Sequence, residues 1–239
     1  MINYAHRGAS GYYPENTMLS FEKALEMGSS GIETDVQLSL DGVLVLIHDE
    51  TLERTSTTSG YVKNYSYSSL KKLNVGSYLD ESFNESIPTL EELLIFAKGK
   101  NIILNLELKN GIIAYEGLEE KVIAMICKHN MEDVVILSSF NHYSMVKCKE
   151  LSKNIKTGLL YMEGLYHPES YCKMVGADGI HPFYLSIDDE ITKASLKEGL
   201  LINPYTINDR DLMKKYISMG VSGIITNYPD ILYSLLNSK

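Results

Sequence analysis

His6, Glu33, Asp35, His48 and Glu107 are the residues of this chain whose types could share one reaction. They lie in apolar, strand-like runs, mostly at the ends: Ile2-Asn3-Tyr4-Ala5-His6, Gly31-Ile32-Glu33-Thr34-Asp35-Val36, Val43-Leu44-Val45-Leu46-Ile47-His48 and Ile102-Ile103-Leu104-Asn105-Leu106-Glu107-Leu108-Lys109. Charged groups in such places are costly to desolvate unless a ligand or metal uses them. Glu33 and Asp35 are two apart and share one strand face, as do Glu107 and Lys109. Glu33, Asp35 and Glu107 offer oxygen only, which suits a hard cation such as Mg²⁺ or Ca²⁺. Without a cation the crowded carboxylates would repel, and one would tend to hold a proton. Histidines titrate near neutrality, so His6 and His48 could take and give protons in one cycle. Arg7 offers a planar fork and Lys109 a point charge, both suited to a phosphate. Gly8 permits a tight turn or close ligand approach beside them.

The elements that must position these groups follow a regular pattern. Strands are predicted at Ile2–His6, Gly31–Val36, Asn101–Leu108, Val134–Ser138, Lys156–Leu160, Gly179–His181, Leu200–Pro204 and Gly223–Thr226. Amphipathic helices fit between most of them: Thr17–Met27, Thr89–Lys98, Gly117–His129, His142–Leu151, Asp188–Glu198, Asp209–Met219 and Pro229–Leu236. Thr89 is the expected N-cap of its helix, with Glu92 as capping-box partner. Strand–helix alternation implies a parallel sheet, and eight strands favour a closed (β/α)₈ barrel over an open doubly wound sheet. We therefore expect a TIM barrel, one catalytic domain over residues 1–239.

Two segments break the alternation. Asp41-Gly42 predicts a two-residue hairpin turn. That pairing sets Leu40 opposite Val43 and Asp35 opposite His48, returning the histidine to the acids. The second break, residues 49–87, is rich in Ser, Thr and Tyr and reads as an insertion after the second strand. It is expected above the barrel mouth, with Tyr61, Tyr65, Tyr67 and Tyr78 either lining an apolar groove or packing the insertion down.

Composition narrows the function classes. The 239 residues are 44% hydrophobic, enough for a substantial core. The net charge of −9 argues against nucleic acid as a partner. It leaves room for a small anionic substrate, since local cations overcome a distant field. No apolar run approaches the roughly 20 residues of a membrane-spanning helix. Cys127, Cys148 and Cys172 form no metal spacing and no disulfide framework, which fits a reducing, cytoplasmic location.

Blocks spread over almost the whole chain resemble one known family. His6-Arg7-Gly8, Pro14-Glu15-Asn16-Thr17, Glu33-Thr34-Asp35-Val36, Asp41-Gly42, His48-Asp49 and Leu52-Glu53-Arg54-Thr55 resemble, in order, the N-terminal signature of the glycerophosphodiester phosphodiesterases. Glu107-Leu108-Lys109, Ser138-Ser139-Phe140, Tyr205-Thr206-Ile207-Asn208 and Gly223 through Asp230 are similar to its later blocks. The resemblance implies a TIM barrel with an insertion after the second strand. It implies a divalent cation on Glu33, Asp35 and Glu107, His6 and His48 as acid and base, and Arg7 and Lys109 on the phosphate. Phe140 and Tyr205 would line the substrate pocket. The implied reaction cleaves glycerophosphodiesters, such as glycerophosphocholine, to glycerol 3-phosphate and an alcohol. Tyr205 stands where many relatives carry Trp, and Asn227 where Asp is common. Neither departure is expected to touch the proposed metal or the two histidines, so both bear on substrate choice and not on the chemistry. The rival readings are a lysophospholipase-D-like enzyme, which needs an apolar groove, and a non-catalytic barrel, which needs no histidine pair.

Overall fold

The computed structural model describes residues 1–238. Eight parallel strands form a nearly closed barrel: β1 (Ile2–His6), β2 (Gly31–Leu38), β4 (Ile103–Leu108), β5 (Val135–Ser139), β6 (Lys156–Tyr161), β7 (Gly179–Pro182), β8 (Leu201–Ile202) and β9 (Gly223–Thr226). The sheet runs β8-β7-β6-β5-β4-β2-β1-β9, so the first and last strands of the chain are neighbours. β8 and β9 share no ladder. Backbone bonds from Ile225 N–H to Pro204 O (3.1 Å) and from Ile207 N–H to Ile225 O (3.0 Å) bridge the seam instead.

Helices α1 (Met18–Glu26), α3 (Leu90–Ala97), α4 (Leu118–His129), α5 (His142–Leu151), α6 (Pro168–Val175), α7 (Asp189–Lys197), α8 (Arg210–Met219) and α9 (Pro229–Asn237) cover the strands. The main apolar core lies between the two layers, with Ile32, Leu104, Leu137, Ile180 and Ile224 of the strands among its members. Thr89 and Glu92 form the expected capping box at the start of α3. Helix α6 was not foreseen. Its eight residues match α3 in length, and Pro168 at its first turn and Gly176 at its left-handed end are boundary signals.

The hairpin differs from the expected register. β3 (Leu44–Leu46) pairs with β2 so that Val36 faces Leu46 and Leu38 faces Leu44. Every pair is shifted by one from the two-residue expectation, and Asp35 accepts from the N–H of Ile47, not His48. The cause is a three-residue loop, Leu40-Asp41-Gly42, closed by Ser39 N–H to Val43 O at 3.0 Å. Gly42 at φ 75° supplies the left-handed residue that this longer turn demands.

Residues 49–87 do not form further barrel strands. They carry a short helix, α2 (Tyr67–Leu70), and bury Leu52, Val62, Leu70, Val75 and Ile87 against Val45 and Ile47. Tyr65 and Tyr67 pack against this small core. Tyr78 accepts the backbone N–H of Glu15 through its hydroxyl at 3.1 Å.

Candidate active site

The parallel register places the acids. His6 is level with Glu33 across β1 and β2, and Asp35 is level with Glu107 across β2 and β4. One oxygen from each of Glu33, Asp35 and Glu107 lies within 4.8 Å of the others. All three side chains are buried. They lie level with the C-terminal ends of β1 and β4, the face on which barrels of this type build their sites.

Two cations hold the cluster together. Lys109 donates to Glu107 Oε1 at 2.9 Å and stands 4.0 Å from Asp35 Oδ1. Arg7 reaches Glu15 Oε1 at 2.9 Å and Asp35 Oδ2 at 3.4 Å, while its backbone N–H donates to Glu33 Oε2 at 3.1 Å. Arg7 and Gly8 both have positive φ, 57° and 84°, and this sharp turn folds the chain end of β1 over the acids. A Cβ at Gly8 would sit 2.3 Å from Ser20 Oγ, so only glycine permits the turn against α1. Asn16 donates to Asp35 Oδ2 at 2.9 Å and is itself held by the hydroxyl of Thr34 at 2.7 Å.

The three carboxylates differ in their protonation. Burial, with Asp35 and Glu107 alongside, pushes Glu33 well above the ordinary range. Burial likewise raises Glu107. For Asp35 burial works upward too, but Arg7, His48 and Lys109 outweigh it and hold the carboxyl below its usual value. Asp35 Oδ1 is buried and has no hydrogen-bond partner. An orphaned anionic oxygen beside a carboxyl driven toward protonation is an environment that a bound cation would satisfy. The donor set therefore fits a hard divalent ion.

The histidines flank the acids. His6 Nε2 stands 3.9 Å from Glu33 Oε2, and its Nδ1 meets Asn227 Oδ1 at 2.6 Å, so the departure at position 227, expected to leave the histidines untouched, contacts one of them because the loop after β9 lies against the end of β1. Burial and the neighbouring Arg7 push His6 down to about 4. His48 Nδ1 meets Asp49 Oδ1 at 2.6 Å. Arg54 in turn grips Asp49 (Nε to Oδ2, 2.6 Å) and Glu15 (2.7 and 2.8 Å), closing a chain of charges back to Arg7. His48 thus lines the same cavity as Glu33 and Glu107 although β3 is out of the expected register, and the chain bends at residues 48–50, just after Ile47.

A cavity of about 320 Å³ opens on these groups, lined by His6, Arg7, Glu33, His48 and Glu107 on one side and Phe140, Leu160, Met162 and Tyr205 on the other. Phe140 and Tyr205 meet edge to face, centroids 6.0 Å apart. Lys109 borders an adjoining hollow that shares Glu107 and Phe140. The structure therefore brings all nine candidate residues to one end of the barrel. The other histidines lie elsewhere. His142 is engaged by Tyr171 and the Leu160 carbonyl, and His181 is enclosed inside the barrel against Gly158 and Asn203. Asp49, Asn227, Glu15 and Arg54 serve the site although residue type alone gave them no role; their positions within the quoted blocks were the available signal. None of Tyr61, Tyr65, Tyr67 or Tyr78 lines the cavity.

The sequence profile of the glycerophosphoryl diester phosphodiesterase family matches residues 6–231. The chain belongs to that family. It is 43% identical over 233 residues to a glycerophosphodiester phosphodiesterase of Caldanaerobacter subterraneus, covering 97% of this chain and 96% of that one. A Bacillus altitudinis glycerophosphodiester phosphodiesterase is 41% identical, covering 95% and 94%. Among solved structures, an Oleispira antarctica phosphodiesterase in complex with the product sn-glycerol-3-phosphate superimposes with a TM-score of 0.90 at 32% identity, covering 98% of this chain and 96% of that one. The expected TIM barrel and family are both borne out.

Proposed function

We propose that this member of the family hydrolyses glycerophosphodiesters to glycerol 3-phosphate and an alcohol, by metal-assisted acid–base catalysis between His6 and His48. The observation that carries the reading is the convergence of three buried carboxylates, two histidines and two cations at one end of the barrel, beside one cavity. The family relationship and the product bound by the Oleispira relative support the substrate class.

Glu33, Asp35 and Glu107 would hold one divalent cation, Mg²⁺ or Ca²⁺. When bound it would polarise the phosphoryl group and acidify a nearby hydroxyl. Arg7 and Lys109 stabilise the charge that builds on the phosphoryl oxygens. The two histidines have different partners, which gives them different roles. His6 presents Nδ1 to an amide oxygen, so the proton sits on Nδ1 and Nε2 keeps a lone pair toward the acids. That tautomer is a base, able to take a proton from water or from the neighbouring glycerol hydroxyl. His48 presents Nδ1 to the Asp49 carboxylate, which orients its ring, and His48 is assigned as the acid that protonates the leaving alkoxide. Phe140 and Tyr205 form an aromatic wall for the rest of the substrate. The whole chain acts as one catalytic domain, with residues 49–87 packed beside the mouth.

No helix among the described residues is long and apolar enough to cross a membrane. The free thiols of Cys127, Cys148 and Cys172 fit the cytoplasmic reading. Tyr65 and Tyr67 are spent on packing and Tyr78 on Glu15, and Tyr61, although exposed, does not line the cavity, which supports a small soluble substrate over a long-chain lysolipid.

The test is release of glycerol 3-phosphate from glycerophosphocholine, with EDTA and with Mg²⁺ or Ca²⁺ restored. Release that needs the cation, and falls by roughly 10²-fold or more in folded His6→Ala and His48→Ala, is expected. Metal-independent release, or near-normal turnover in either variant, would overturn the proposal.

A further inference from the structure

Gln37 lies two residues beyond Asp35 and four beyond Glu33, on the same face of β2. Its side chain is fully buried. The Nε2 donates to three successive carbonyls: Ile47 (3.0 Å), His48 (3.0 Å) and Asp49 (2.8 Å). These carbonyls lie past the end of β3, and outside the ladder no backbone N–H among the described residues reaches them. Two amide hydrogens shared among three acceptors require the backbone to curl tightly around one nitrogen. The curl is the turn that brings His48 back to the acids after the register shift.

The amide has only one usable orientation. Its Oε1 accepts from the hydroxyl of Tyr115 at 2.8 Å, in a buried contact. A flipped amide would aim Oε1 at three carbonyl oxygens. Tyr115 is fixed in turn through its backbone N–H, which donates to Asn110 Oδ1 at 2.6 Å on the loop after β4. We propose that Gln37, locked by Tyr115, is a positioning residue that sets the His48–Asp49 segment for proton transfer. It does not itself line the cavity, and it meets His48 only through that residue's backbone carbonyl. Its effect therefore belongs in turnover and not in substrate binding.

This inference rests on the reading of His48 as a catalytic residue, and a double-mutant cycle separates the two. Steady-state rates on glycerophosphocholine would be compared for the wild type, Gln37→Met, His48→Ala and the double variant. Gln37→Met is expected to lower kcat by about 30- to 100-fold with KM changed less than about 3-fold. In the His48→Ala background the same change should cost less than about 2-fold, because the group it positions is gone. Equal losses in both backgrounds would show a general structural role and overturn the clasp alone. A His48→Ala variant at the wild-type rate would overturn the role of His48 and the purpose of the clasp together. Should Gln37→Met not fold, Tyr115→Phe carries the same cycle, with an expected kcat loss of about 3- to 10-fold confined to the His48 background. Wild-type kcat in folded Tyr115→Phe would overturn the proposal.

Discussion

His181 makes the stability of this barrel sensitive to acid in a calculable way. The ring is enclosed inside the barrel, with Gly158 against one face; a Cβ there would come within 2.4 Å of Nε2. Nε2 accepts from Asn203 at 2.9 Å, and Nδ1 has no partner. Burial alone drops the group from 6.5 to about 3, with no opposite charge to offset it. A histidine depressed in the folded state leaves stability intact above its unfolded value. That stability is lost as pH falls toward the folded value, because only the unfolded chain takes up the proton. Using 6.5 and about 3 for the two states, the loss between pH 7 and pH 5 is about 2 kcal/mol for this one residue. In a domain of this size that is roughly 4–8 °C in Tm. His181→Gln keeps an acceptor for Asn203 and removes the titration. Urea unfolding of both proteins at pH 7, 6 and 5 measures the difference, and groups common to both cancel. The wild type should lose about 2 kcal/mol more than the variant over that interval. Parallel curves would refute the reasoning, since they would mean that the folded barrel accommodates a charged ring.

Two further outcomes follow from the site. Glu33 is forced upward by burial and its acidic neighbours, so Glu33→Gln should leave the metal-free protein as stable as the wild type or more so at pH 7, while abolishing the rise in Tm on adding Mg²⁺ or Ca²⁺; thermal melts with and without EDTA check both halves. Arg54 is half-exposed and joins Asp49 to Glu15, so Arg54→Met should change stability by less than about 1 kcal/mol yet lower kcat roughly 10-fold, measured on glycerophosphocholine against a urea unfolding curve.

Local signals made much of this architecture legible. The eight strand runs and most helices are periodic enough to read directly, and strand-end placement alone brought Glu33, Asp35 and Glu107 together. The hairpin was read one residue out because Asp41-Gly42 serves both two-residue and three-residue loops. Only the pairing of Ser39 with Val43 chooses between them, and that pairing is a tertiary outcome. Helix α6 has no counterpart among the expected helices, although Pro168 and Gly176 mark its ends. The partners of the histidines were partly visible. Asp49 sits beside His48, whereas Asn227 reaches His6 from the other end of the chain and no spacing rule connects them. Gln37 offered no signal beyond its face on β2, because three carbonyls converging on an amide exist only after the turn has formed.

The three acids, both histidines and both phosphate-facing cations all come from residues 6–109, whereas the aromatic and apolar wall formed by Phe140, Leu160, Met162 and Tyr205 comes from the later strands. Bond-breaking and molecular recognition are thus written in separate halves of the polypeptide. Recombination downstream of Lys109 between relatives would exchange the recognition wall while leaving the reactive centre encoded in one uninterrupted stretch. The Asn227 contact to His6 and the Tyr115 contact to Gln37 both cross that divide, so positions 227 and 115 are where a hybrid barrel would have to be matched to its new front half.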